Sequence, residues 1–185
     1  ITAFGRLGDS FAANRFNVRP DIITMAKGLT SAVIPMSAVA FDTAIYDQLM
    51  EGPEAMIELF HGYTYSGHPV ACAAGIATLD VYQEDGLFDK AKELEPIFEE
   101  ALHSLKGLNQ VIDIRNIGLM GAVQFGPGKL PATEFAANVF QHCYDNDVLV
   151  RYSGEFLVLS PSLIASKEHI HQISDALRNA IEANS

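Results

Sequence analysis

The sequence holds 185 residues, 49% of them apolar and 19% charged, which suits a folded globular chain of one medium domain or pieces of two. A net charge of −11 argues against the basic face that nucleic acid or an anionic membrane would need. No run approaches the ~18–20 uninterrupted apolar residues of a membrane-spanning helix. Two cysteines, Cys72 and Cys143, are too few for a disulfide framework; they read as small buried apolar residues in a reducing cytoplasm. Ile1-Thr2-Ala3-Phe4-Gly5-Arg6 has no leader character, and the chain opens as though cut from something longer.

Along the chain, Ile22-Ile23-Thr24-Met25-Ala26 follows the turn-prone Arg19-Pro20-Asp21 and predicts a buried strand. Lys27-Gly28-Leu29-Thr30 predicts a loop, and Met36 to Phe41 a second strand. Asp42 or Thr43 caps a helix near 43–50, and residues 51–69 read as a loop. From Pro69, suited to a first helical position, small and apolar residues cover nearly every face, which predicts a fully buried helix. After Asp85-Gly86 a second helix carries Leu87, Ala91, Leu94, Phe98, Leu102 and Leu105 at helical spacing, with a kink or split expected at Pro96.

At Gly107 the texture changes. Two strands, 111–115 and 119–125, end at Gly126-Pro127-Gly128. A helix near 132–146 turns Phe135, Val139 and Cys143 to one side, and short strands follow at 148–151 and 156–159. The last helix, 166–183, points Ile170, Ile173, Leu177 and Ile181 inward, with Glu168 complementing its dipole. Residues 1–106 thus read as the tail of an α/β layer, and 107–185 as a small α+β unit.

Three places carry residues suited to chemistry. Lys27 ends a buried strand, where partial desolvation would make its amine nucleophilic, and Gly28 would let a bulky cofactor approach the backbone. Taken alone, a lysine there is more often a snorkelling side chain. Ala26-Lys27-Gly28 is not a phosphate-binding P-loop, which needs Gly-Lys-Ser/Thr. His61-Gly62-Tyr63-Thr64-Tyr65-Ser66-Gly67-His68-Pro69 crowds hydroxyls and glycines before a helix N-terminus, a setting for an anion such as phosphate or simply a capped loop. Arg151 at a strand end could clamp a carboxylate with two parallel hydrogen bonds, or lie idle on the surface. No metal site is read: His169 and His171 are two apart on a helix, His142-Cys143 has no companion cluster, and His103 reads as solvated.

Three segments together carry a resemblance. Thr2-Ala3-Phe4-Gly5-Arg6-Leu7-Gly8, Pro20 through Ser31 around Lys27, and Phe60 through Pro69 resemble, in order, the glycine-arginine run, the cofactor-lysine segment and the phosphate loop of class III pyridoxal-phosphate aminotransferases. The resemblance covers the whole chain. His-Gly-Tyr-Thr-Tyr-Ser at 61–66 and Val111-Ile112-Asp113-Ile114-Arg115-Asn116 bring it nearest the ω-amino acid:pyruvate (β-alanine:pyruvate) branch. It implies a type I aminotransferase fold, with 1–106 closing the large cofactor-binding domain and 107–185 forming the small C-terminal α+β domain.

It implies also that Lys27 holds pyridoxal 5'-phosphate through a Schiff base and moves the proton. Thr64, with Tyr63, would bind the cofactor phosphate of the neighbouring subunit of a homodimer, and Arg151 would receive the substrate carboxylate. The reaction implied moves an amino group from an ω-amino acid such as β-alanine to pyruvate; γ-aminobutyrate, ornithine and diaminopelargonate are the alternative donors. A competing reading is a non-catalytic assembly module, against which the joint presence of Lys27, Thr64 and Arg151 counts. Ala3 and Ala32 stand where the family has glycine, Glu155 where aspartate is common, and Ser162 in place of a second proline. The aspartate for the pyridine nitrogen, the ring-stacking aromatic and the first phosphate loop belong upstream of Ile1. The 185-residue chain alone is therefore expected not to transaminate, and to need the rest of the large domain or a partner to stay soluble.

Overall fold

The computed structural model describes residues 3–56, 59 and 63–185. His61 and Gly62 of the phosphate-loop reading, and Thr2 of the first motif, lie outside the described residues. Contacts divide the chain into two compact units, one of Ile1–Phe4 with Asp9–Gly86 and one of Gly5–Gly8 with Leu87–Ser185.

In the first unit a single turn of helix, α1 (Ala12–Arg15), precedes strand β1 (Ile22–Met25), which pairs antiparallel with β2 (Ala38–Phe41) from Ile22↔Phe41 to Met25↔Ala38. Between the strands Lys27–Leu29 forms a 3-10 turn. Helix α2 (Thr43–Leu49) starts at Asp42, whose Oδ1 accepts from the Ala44 N–H at 2.9 Å. Helix α3 (Pro69–Glu84) closes the unit.

Three sequence expectations are corrected here. β1 is not buried: alternate residues are exposed, Ile22 among them, because its partner β2 completes only a two-stranded sheet whose Val39 and Phe41 are also exposed. Nor is α3 buried all round. One stripe, Ala71, Gly75, Thr78 and Tyr82, is buried, while Val70, Ile76, Leu79 and Val81 are exposed. That stripe has i, i+4, i+7, i+11 spacing, so one helix face is used. Cys72 lies off it and is half-buried rather than buried.

The buried stripe docks on the turn at Lys27. The Tyr82 hydroxyl donates to the Gly28 carbonyl at 2.6 Å, and a Cβ on Gly75 would come 3.8 Å from the Leu29 carbonyl oxygen. Phe4 stacks edge-on to Phe11 and tilts toward Tyr82, ring centroids 5.6 and 6.0 Å away. A Cβ on Gly28 would stand 2.9 Å from Phe4 Cβ. The side chain of Phe4 is therefore the nearest neighbour that Gly28 accommodates.

The second unit contains the main core. Its sheet runs β3-β4-β6-β5, wholly antiparallel, from strands β3 (Val111–Ile117), β4 (Met120–Phe125), β5 (Arg151–Ser153) and β6 (Phe156–Leu159). Helices α4 (Leu87–His103) and α5 (Ala132–Asp145) pack on it, and α6 (Lys167–Ala183) packs on both of them. Phe98, Val123, Phe125, Phe135, Val139, Leu157, Leu177 and Ile181 meet in one buried cluster, with Phe125 and Phe135 edge-to-face at 4.9 Å. Truncating such a phenylalanine costs about 3–5 kcal/mol. α4 belongs to this core, so the compact division falls at Gly86, ahead of the change of texture at Gly107.

Helix α4 crosses Pro96 without splitting. Burial of Leu94, Phe98 and Leu102 on either side outweighs the lost backbone bond. The expected strand 148–151 starts only at Arg151, because Val148 and Val150 are buried in the core and the Val148 N–H closes the end of α5 on the Cys143 carbonyl at 2.9 Å. His103 is half-buried and pairs with Asn116 Oδ1 at 3.0 Å, where the sequence reading left it solvated. α6 begins in a reciprocal cap: the His169 N–H donates to Ser166 Oγ and the Ser166 N–H to His169 Nδ1. Bonding to the Ser166 side chain, then to its own backbone N–H, holds the Glu168 carboxyl below the usual range.

Two measurements follow from this packing. Tyr82→Phe removes the bond to Gly28 and is expected to lower stability by about 1 kcal/mol in urea unfolding; an unchanged midpoint would show that the bond holds nothing. Burial pushes the Cys143 thiol from 9.0 up to about 11. A raised folded value in an acid means stability present below the unfolded value and lost as pH rises through the window between them. Melting of the native chain is therefore expected to fall across that window relative to Cys143→Ala, and parallel curves would refute it.

Candidate functional site

Lys27 leaves β1 through an extended Ala26, with φ −163°, and then turns into the left-handed region at φ +55°. Ser31 and Ala32 adopt it too, at φ +49° and +63°. Each such residue costs about 1–2 kcal/mol without a glycine, so three within six residues mark a turn that its surroundings hold in place. The holding is visible: Leu29 N–H bonds to Ala26 O, Thr30 N–H to Lys27 O, and Thr30 Oγ1 to Ile34 O at 2.7 Å. The positive φ at Ala32 is a conformation that glycine adopts more readily. The Lys27 side chain is exposed, so the chain's own atoms do not provide the desolvation expected there. What the turn offers is a primary amine presented on a rigid, strained support.

Thr64 to His68 meet Ile34–Ser37, Ala71 and Cys72 around a cavity of about 790 Å³ at the start of α3. His68, not singled out in the sequence, caps this helix: its Nδ1 accepts from the Ala71 N–H at 3.4 Å. Pro69 has no N–H, and the Ser66 and His68 amides are bonded to the Tyr63 and Tyr65 carbonyls. The helix end therefore has fewer open donors than an anion site built on it would use, and the hydroxyls of Thr64 and Ser66 become the cavity's main polar groups. A capping signal could have been read from the polar residue directly before Pro69. Tyr63 stands beside the cavity lining, its hydroxyl donating to the Leu59 carbonyl at 2.9 Å.

Arg151 opens β5 in the second unit and pairs with Val158. Leu157 and Leu159 are buried while Val158 is exposed, so Arg151 stands on the sheet face away from the core. It is exposed and lines a cavity of about 300 Å³ with Leu149, Val158, Ser160 and Pro161. Lys27 lines neither this cavity nor that of Thr64. Tyr82 is the residue the sequence reading missed for Lys27; a lone hydroxyl on the small-residue stripe of α3 was the available signal. A polar hollow near the end of α5 gathers His142, Glu168, His171 and Asp175, yet among the described residues no group of three or more His, Cys, Asp or Glu is placed to hold a metal ion. No helix of the described residues is long and apolar enough to cross a membrane.

The family model described as Aminotransferase class-III matches residues 1–181. An omega-aminotransferase of Caulobacter vibrioides is 49% identical over 98% of this chain and 41% of its own length. A beta-alanine–pyruvate aminotransferase of Pseudomonas aeruginosa is 43% identical over the same shares. The PMP-bound form of an aminotransferase from Vibrio fluvialis superposes with a TM-score of 0.90 at 29% identity, covering 98% of this chain and 41% of that one. The chain thus spans about two fifths of the length of its relatives. A mixed α/β fold matching that of solved transaminases, and a family match from end to end, make this chain a member of the class III aminotransferases, enzymes that depend on pyridoxal phosphate.

Proposed function

We propose that this segment supplies the cofactor lysine and the carboxylate receiver of an enzyme that moves an amino group from an ω-amino acid such as β-alanine to pyruvate. The observation that carries the reading is Lys27: an amine on a strained turn directly after β1, locked by Tyr82 and Phe4, inside the segment the family uses for its cofactor. The residues present suit an aldehyde-bearing, phosphate-tailed group. Lys27 Nζ offers the amine, and the loop at the start of α3 offers the Thr64 and Ser66 hydroxyls.

When bound, pyridoxal phosphate supplies an electron sink for the substrate's reacting carbon. Lys27 Nζ then has two tasks: to hold the cofactor covalently between turnovers, and to carry the proton from the substrate carbon. Thr64, with Tyr63 alongside, serves the phosphate bound by the neighbouring subunit, so that sites form in pairs across a homodimer. Arg151 aligns the substrate carboxylate through two parallel hydrogen bonds. Residues 1–106 would close the large domain and 107–185 form the small one, with α4, which packs in the core of the second unit, as the link between them. The compartment is the cytoplasm, which suits the unpaired Cys72 and Cys143.

Borohydride reduction after incubation with pyridoxal phosphate is expected to leave a pyridoxyl group on the peptide containing Lys27 and none in Lys27→Ala. An adduct spread over other lysines, or unaffected by Lys27→Ala, would remove the assignment. Donor identity is set by a coupled alanine-formation assay in the full-length enzyme. β-Alanine is expected to exceed γ-aminobutyrate, ornithine and diaminopelargonate in kcat/KM, and a reversed order assigns the alternative specificity.

A further inference from the structure

The second unit includes four residues from far upstream, Gly5–Gly8, and they are firmly built in. The Arg6 carbonyl accepts from the Leu119 N–H at 2.8 Å, and Leu7 is 1% exposed. Gly118 packs so closely on Arg6 and Leu7 that a side chain there would collide with their backbone. From this fixed base the Arg6 guanidinium reaches the end of β6. Its Nη1 donates to the Ser160 carbonyl at 3.0 Å and to the Pro161 carbonyl at 2.5 Å.

These two carbonyls lie where the ladder has ended, since the last β4–β6 pair is Gly121↔Leu159. Pro161 also has no N–H with which to tie the stretch down. The same two residues form a wall of the cavity that Arg151 lines, and Arg151 pairs with Val158, two residues before Ser160. A charged donor on successive carbonyls is a stronger tether than a neutral one. A guanidinium fork keeps its registry with a carboxylate only if the wall beside it stays still.

We infer that Arg6 is a positioning residue for the carboxylate site, fixing the Ser160–Pro161 wall against which Arg151 receives its substrate. The inference rests on the reading of Arg151 as carboxylate receiver. Arg6 touches no substrate; it acts through the wall. Its effect is therefore confined to substrates that present a carboxylate to Arg151.

The test is steady-state kinetics of the full-length enzyme with two amino acceptors, pyruvate and an aldehyde lacking a carboxylate. Arg6→Ala is expected to raise the KM for pyruvate about tenfold and that for the aldehyde no more than about twofold. Arg6→Lys keeps the charge and one carbonyl bond, so its pyruvate KM falls between native and Arg6→Ala; it decides the matter if Arg6→Ala fails to fold. In an Arg151→Ala background, Arg6→Ala or Arg6→Lys adds nothing further to the pyruvate KM. Equal rises for both acceptors, an unchanged pyruvate KM, or additive effects in the Arg151→Ala background would overturn the inference and leave Arg151 in its role. A native enzyme that forms no alanine from pyruvate overturns the proposed function itself, and this inference with it.

Discussion

The contact on which the first unit depends is the seat of α3 under the Lys27 turn. Ala71, Gly75 and Thr78 are small enough to bring the helix against the turn's backbone, and Tyr82 finishes the contact by donating to the Gly28 carbonyl. Small side chains admit close approach, and a hydrogen bond to a partly buried carbonyl fixes its angle. Only a support of this kind can keep Lys27, Ser31 and Ala32 together in a backbone region that L-residues avoid. The exposed amine of Lys27 is thus a product of packing on the opposite side of the turn.

The second unit solves a different problem. Helices α4 and α5 cover one face of an antiparallel sheet, α6 packs on both helices, and the aromatic cluster of Phe98, Phe125 and Phe135 lies in the shared core. The other sheet face carries exposed and half-buried residues, and Arg151 stands on it. Antiparallel sheets tolerate that arrangement, with one face in the core and one free for ligands. Four upstream residues are built into the same unit, with Arg6 bonded to the strand end beside Arg151. The amine and the guanidinium are therefore each prepared by local packing within their own unit.

Much of this was legible from residues alone. Helix starts at Asp42, Pro69 and Ser166 follow from capping chemistry, which acts over three or four residues. Helical spacing of Leu87 through Leu102 gave the inward face of α4, and Phe156–Leu159 was found as a strand at its true bounds. The family was legible too, because three separated motifs in fixed order are far more specific than one. Errors arose where a residue's setting depends on distant chain. Ile22 and Val70 are apolar enough to be buried, yet nothing among the described residues of their unit covers them. Val148 and Val150 have strand propensity, but the core draws them away from the ladder until Arg151.

The sequence by itself determined the local periods and the caps, since these depend on neighbours in the chain, and its ordered motifs carried the family. Tertiary structure alone decided that Lys27 sits in a left-handed turn under Tyr82, that Gly28 makes room for Phe4, and that Arg6 bonds beside β6, 154 and 155 residues away in sequence. The physical reason is range. Capping and periodicity are properties of a few consecutive peptide units, whereas close approach, burial and a guanidinium's choice of carbonyl exist only once distant segments have packed together.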